Sequence, residues 1–234
     1  MIFVHIGAGA GDLDPTTNFR DGFSELVKNH ESNAKKVFIV EANPINIKKL
    51  KKCWKNYKSV KSFNFAIVSN KIKNEKIRFY YCKKDAPHYQ LFSSDIKHVK
   101  HYFPNLKIES KLIRTVKIKN FMEKNFKKKI IDFFSVDVEG GDFDIIINLD
   151  LKKYNIQNIS LEYLHLTIMQ KKKVIKKLIA NGYSYNGFGV DHNNIDWSFK
   201  KKTNIWNNWI SQLMPYIHRK HYKRLNKIIV SIDS

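Results

Sequence analysis

The chain is poor in cysteine, arginine, proline and glycine, and each shortage narrows what it can be. Its two cysteines, Cys53 and Cys82, lie in unrelated surroundings, a lysine-rich helical pattern and the end of an aromatic run. Neither has a C-x-x-C partner for metal or redox work, so free thiols in a reducing cytoplasm are expected. With only five prolines and nine glycines, and with 43% apolar and 13% aromatic residues, the composition is that of a globular protein rather than a disordered one. No apolar run approaches the length of a membrane span. No basic segment precedes an apolar one near Met1, so a secretory signal is not expected and the location expected is cytoplasmic.

Acids are scarce as well: 21 against 43 lysines and arginines, for a net charge of +22. Such a charge suits nucleic acid or an anionic membrane. Arginine, however, occurs only at positions 20, 78, 114, 219 and 224, and phosphate and base readers usually lean on arginine forks. Lysine spread along solvated helix faces, together with abundant Ile and Asn, is what AT-rich coding produces and needs no ligand. Nucleic acid is therefore a partner the charge allows but does not favour.

The few glycines are concentrated. Ile2 to Ile6 is an apolar run followed at once by Gly7-Ala8-Gly9-Ala10-Gly11, the order of a buried strand feeding a turn where missing Cβ atoms let a ligand lie against the backbone. A second run, Val37 to Val40, ends in Glu41-Ala42-Asn43-Pro44. An acid at a strand tip can accept hydrogen bonds from both hydroxyls of a ribose. A dinucleotide fingerprint would place a third glycine at position 12, but Asp12 stands there and would repel a pyrophosphate. The spacing therefore favours S-adenosylmethionine, which has no phosphate and carries a sulfonium and an ammonium, over NAD.

Helical periods from Asn18 to His30, Ile45 to Trp54, Asn120 to Phe126 and Val174 to Ile179 alternate with strand-like runs at Lys36–Glu41, Val60–Val68, Lys76–Cys82, Ile113–Ile118, Ile130–Val138 and Ile156–Leu161. Closing strands are expected between Gly182 and Phe199. This alternation predicts an α/β fold with a mainly parallel central sheet and helices on both faces. Residues 1–200 are expected to form the domain, with an irregular insert at 83–112 facing the substrate. Residues 201–234 form a basic, aromatic extension, whose Trp206 and Trp209 suit a stripe covering the sheet edge or a dimer partner.

The segments Ile6-Gly-Ala-Gly-Ala-Gly11, Val40-Glu-Ala-Asn-Pro44, Phe65-Ala66-Ile67, Ile131 to Gly140 (IDFFSVDVEG) and Ile159-Ser-Leu-Glu162, in that order, resemble the FkbM family. Those are S-adenosylmethionine-dependent methyltransferases of the Rossmann-like class I fold, mostly O-methyltransferases. The resemblance implies that Gly7, Ala8, Gly9 and Gly11 pack against the methionine portion. Glu41 would hold the ribose, the backbone near Ala66 would flank the adenine, and Asp137 would sit beside the methionine end or the acceptor; Ala42 and Asn64 are further cofactor-binding candidates. Where the family usually has an acid two residues before the first glycine, this chain has His5. A neutral imidazole can orient the turn but cannot pair with the ammonium, a task left to Asp12 or Asp14.

Methyl transfer is an in-line displacement, so the protein must align acceptor oxygen, methyl carbon and sulfur and accept a proton. Asp137 is the first candidate for a working carboxylate, with Glu139 projecting to the same side if the strand continues. His165, just after Glu162, is the alternative base; His88, His98 and His101 are weaker, and Ser93-Ser94 is either a loop cap or an acceptor contact. No histidine has a convincing metal-ligand spacing to these acids, so no metal is assigned. The reading is O-methylation of a small-molecule or glycan hydroxyl. The alternatives are an RNA-directed methyltransferase or RNA-binding protein using the basic surface, and an NAD-dependent oxidoreductase, which Asp12 opposes.

Overall fold

The computed structural model describes residues 1–15, 18–85, 91–190, 196–201 and 210–217. Its strands, in chain order, are β1 (Ile2–Ile6), β2 (Lys36–Val40), β3 (Val60–Phe63), β4 (Ala66–Val68), β5 (Lys76–Cys82), β6 (Ile108–Lys117), β7 (Ile130–Val136), β8 (Asn155–Glu162), β9 (Ser184–Phe188) and β10 (Asp196–Lys200). The helices are α1 (Gly22–Asn29), α2 (Asn46–Cys53), α3 (Ile96–Tyr102), α4 (Ile118–Phe126), α5 (Asp142–Asn148) and α6 (Ile168–Ala180).

Seven strands form one sheet in the order β3-β2-β1-β7-β8-β10-β9. The first five run parallel, and β10 is antiparallel to both β8 and β9. Strands buried on both faces need continuous apolar runs, and β1 and β2 have them. Alternate residues serve opposite layers. Val4, Ile6, Phe38 and Val40 pack with Phe121, Ile145 and Val174 of α4, α5 and α6, whereas Phe3, Val37 and Ile39 pack with Phe23 of α1 and Leu50 of α2. This is the mainly parallel α/β sheet, helices on both faces, that the alternation predicts. The chain winds outward through β2 and β3 and then returns to β7 on the other side of β1. The strand order therefore reverses between β1 and β7, and the carboxyl ends on either side of that point form the crevice where ligands of open α/β sheets bind.

A second sheet, β4-β6-β5, was not foreseen. Val60–Val68, read as one strand, is two. β3 extends the main sheet and β4 joins β6, because the chain turns at Asn64, whose side-chain amide donates to the carbonyls of Glu41 (2.8 Å) and Ala42 (3.2 Å). The expected insert at 83–112 is also less irregular than its composition suggests. It contains α3, and its last residues already belong to β6, whose outer half is solvated and so lacks a clear alternation. The first helix starts at Gly22 rather than Asn18. Asn18 and Phe19 have positive φ, and Asp21 caps the helix by accepting from the Ser24 amide at 2.7 Å. Helix α6 begins well before Val174, at a capping box of Thr167 and Gln170. Of the C-terminal extension, Ile210 and Met214 are buried in the core and the Ser211 hydroxyl accepts from the Tyr185 amide at 2.7 Å, covering β9. Trp206, Trp209 and the basic 218–224 segment lie outside the described residues. No helix among the described residues is long and apolar enough to cross a membrane.

Candidate active site

At the reversal of strand order lies a cavity of about 400 Å³. His5, the glycine turn with Ala8, Glu41, Ala42, Ala66, Asp137 and Glu139 all line it. The three glycines play different parts. A Cβ on Gly7 (φ +86°) would lie 1.5 Å from the Asp137 carbonyl oxygen, so this glycine is what lets the ends of β1 and β7 approach. A Cβ on Gly11 (φ +58°) would meet Leu50 and Cys53. Only Gly9 (φ +56°) has nothing within 4 Å of the missing Cβ, and so leaves an open flank on the turn. Gly7→Ala should therefore cost more than about 3 kcal/mol of stability, from a clash with backbone combined with a left-handed φ. A thermal midpoint within 2 °C or so of the unmodified protein would show that the two strand ends can separate cheaply.

Glu41 is buried and joins the turn to β2: its Oε2 accepts from the Gly9 amide (2.7 Å) and its Oε1 from the Asn43 amide (2.5 Å). A carboxylate has about four acceptor positions, so these two bonds leave capacity for a ligand. Burial pushes its carboxyl up to about 7, against the opposing pull of the backbone donors. Beside it the small sheet supplies an apolar wall, with Ala66, Phe79 and Phe92 in one cluster and the Phe79 and Phe92 rings stacked at 5.0 Å.

His5 packs on Phe23 with ring centroids 4.5 Å apart, and burial pushes its imidazole down to about 3, so the ring is neutral. Two expected cofactor contacts are placed differently. Asp12 does not line the cavity, because its carboxylate pairs with Lys28 and accepts from the Asp21 amide (3.1 Å). Asn64 also lies off the lining, holding the end of β2 instead. Asp14 and Asp21 take the positions facing the cavity.

Strand β7 stops at Val136, one residue before Asp137, so the strand alternation does not extend to Glu139. The chain turns: Val138 and Gly140 donate their amides to the Asp142 carboxylate (2.9 and 3.2 Å), and Glu139 sits at φ +52°. This turn points Glu139 at two histidines. His98 Nε2 of α3 and His165 Nε2 of the β8–α6 loop each lie 3.4 Å from Glu139 Oε2. His165 Nε2 is also 3.2 Å from Glu162 Oε1. Hydrogen bonds to Glu139 and Glu162 push His165 up to about 10. Burial alone would raise Glu139, but its bonds to the two histidines outweigh that and hold it below the usual range. Asp137 goes the other way. Burial, then Glu162, Asp196, Glu139 and Asp142, holds its carboxyl well above the usual range.

His98, weak on sequence grounds, is thus brought to the site; His101 shows no contact with its acids, and His88 lies outside the described residues. Ser93 turns out to be a clamp, donating to the Glu139 carbonyl (3.1 Å) and accepting from the Asp95 amide, whereas Ser94 lines the cavity. Glu162 and His165, three residues apart at a strand end, were the one legible signal for this cluster.

Residues 5–185 match the methyltransferase FkbM domain. The chain belongs to the FkbM methyltransferase family. The observed sheet is the Rossmann-like class I methyltransferase architecture. No curated protein sequence matches the chain. Among solved structures it is similar to an FkbM methyltransferase from Methylobacillus flagellatus, at 12% identity and a TM-score of 0.45, over 84% of this chain and 42% of that one. It is also similar to a human methyltransferase 10 domain-containing protein, at 14% identity and a TM-score of 0.41, over 85% of this chain and 69% of the other. A third is the N-terminal domain of human METTL16 in complex with SAH, at 13% identity and a TM-score of 0.39, over 85% and 59% of the two chains. This chain thus spans less than half of the first of these.

Proposed function

We propose that this FkbM methyltransferase uses S-adenosylmethionine to methylate an oxygen of a small-molecule or glycan hydroxyl. The observation that carries the reading is the charge of the cavity. Asp14, Asp21, Glu41, Asp137, Glu139 and Asp144 line it, and no lysine or arginine does among the described residues, in a chain with 43 of them. Such a lining attracts a sulfonium and an ammonium and repels a pyrophosphate or a nucleic-acid backbone. The apolar wall at Ala66 suits adenine, Glu41 suits the ribose diol, and Asp14 or Asp21 suits the ammonium that neutral His5 cannot hold. His165, pushed up to about 10, carries a proton and is not a base in this state. Asp137 also prefers its protonated form in the ligand-free protein, but a bound sulfonium and ammonium favour its carboxylate, which makes it the proton acceptor or methionine anchor, with Glu139 and His165 orienting the acceptor side.

Calorimetric titration with S-adenosylmethionine, its demethylated product and NAD tests the cofactor. The first two should bind and NAD should not; the reverse order would overturn the reading. Labelled S-adenosylmethionine in cell extracts, with identification of the labelled product, tests the acceptor. Glu41→Ala should weaken cofactor binding by about 1–3 kcal/mol with the fold intact, since a charged acceptor is lost. A pH effect accompanies it. The ionised carboxylate is the better acceptor for ribose hydroxyls, and its proton is lost near 7 in the ligand-free protein. Affinity should therefore fall as pH drops below about 7, by up to tenfold per unit. In Glu41→Ala that dependence should vanish, and a flat profile in the unmodified protein would remove Glu41 from the ribose.

A further inference from the structure

Three elements distant in sequence, α3, the β7–α5 turn and the β8–α6 loop, bring His98, Glu139 and His165 together. One potential ligand atom from each lies within 4.8 Å of those of the other two. Both imidazole nitrogens stand 3.4 Å from the same oxygen, Glu139 Oε2. That is long for a charge-assisted hydrogen bond, which closes to about 2.7–2.9 Å. The same spacing also matches that between two metal donors: two ligand atoms each about 2.0–2.1 Å from an ion, at a tetrahedral angle, are about 3.4 Å apart. The rings are perpendicular at 87° with centroids 4.4 Å apart, so two imidazoles crowd one carboxylate instead of sharing it from opposite sides.

The surroundings favour added positive charge. Glu162 Oε1 is 3.2 Å from His165 Nε2, and Glu162 Oε2 is buried with no hydrogen-bond partner among the described residues. Tyr102 closes one flank, its ring centroid 5.5 Å from that of His98 and 6.4 Å from that of His165. Two imidazoles and one carboxylate are a donor set suited to zinc or another first-row divalent ion, and three protein ligands leave coordination positions open.

We propose that His98, Glu139 and His165 bind a single divalent transition-metal ion at the rim of the cofactor cavity. Glu139 lines that cavity, so the ion stands at its edge with open positions for an oxygen ligand. On the methyltransferase reading, that ligand is the acceptor: a hydroxyl compound, with a neighbouring oxygen able to chelate. The metal site itself does not depend on that reading.

The test uses cobalt(II) alone, added to the full chain stripped of metal by chelation. One equivalent should bind and give a visible ligand-field spectrum, and zinc should displace it. His98→Ala with His165→Ala, and separately the near-isosteric Glu139→Gln, should each weaken binding at least about 10²-fold. A thermal melt of each variant reports folding, and the affinity of the unmodified protein for S-adenosylhomocysteine reports the cofactor reading separately. Imidazole NMR signals of the unmodified protein provide a check that needs no variant: cobalt should broaden those of His98 and His165 and spare that of His30, at the C-terminal end of α1. Absence of cobalt binding, binding unchanged in the variants, or broadening that misses both histidines would overturn the proposal. Failure of cofactor binding with intact cobalt binding would instead overturn only the function proposed above.

Discussion

Asp137→Asn is expected to cut turnover by about 10²-fold or more while the protein remains folded. The side chain stands where β7 ends, among Glu162, Asp196, Glu139 and Asp142, and its carboxyl is held well above the usual range by burial and those neighbours. A raised acid prefers its protonated form in the folded state. Its ionisation therefore costs stability as pH rises above the ordinary aspartate range. Replacing it with a neutral amide of the same shape removes that cost, so the thermal midpoint at neutral pH should stay the same or rise slightly. Activity should not survive, because proton removal needs a carboxylate and methionine placement needs negative charge. Cofactor affinity separates the two roles: it falls if Asp137 holds the ammonium and stays near the original if Asp137 faces the acceptor. Full activity in Asp137→Asn, with loss in Glu139→Gln, would transfer the role to Glu139. Full activity in both would leave this strand end structural.

The second large effect is expected at Gly9. Gly9→Val should abolish S-adenosylmethionine binding, lowering affinity beyond about 10³-fold, about 4 kcal/mol and more than the loss expected at Glu41. Gly9 is the glycine of the turn whose missing Cβ faces open space, on the side of the turn that Glu41 fixes through the Gly9 amide. A branched side chain would fill the space the ligand needs, and φ +56° is unfavourable for valine. Gly9→Ala separates these causes, since it carries most of the backbone penalty with little bulk. Titration with S-adenosylhomocysteine beside a thermal melt is the measurement. Normal binding by Gly9→Val would mean that the turn does not cradle the cofactor.

The glycine turn, Glu41 and the 131–140 stretch were legible because close backbone approach and strand-end acids demand particular residue types at particular spacings. Asp12 stands off the cavity lining for a related reason. Next to the glycines in sequence, it looked like an ammonium partner, but Lys28, one helix later, claims its carboxylate. Asn64 likewise serves the backbone of β2 rather than the cavity. The second sheet escaped notice because β4 is three residues long and the outer half of β6 is solvated, so neither shows a clear period.

Local patterns were enough for the α/β class and for gathering the glycine turn, Glu41 and Asp137 at one strand-end cavity. These follow from hydrophobic period, glycine spacing and charge, which act between near neighbours in the chain. The meeting of His98 and His165 on Glu139, the different duties of Gly7, Gly9 and Gly11, and a cavity whose charged lining among the described residues is acidic, in a basic protein, were decided by tertiary structure. They depend on which strand ends the sheet order brings together, a long-range packing outcome that residue spacing does not encode.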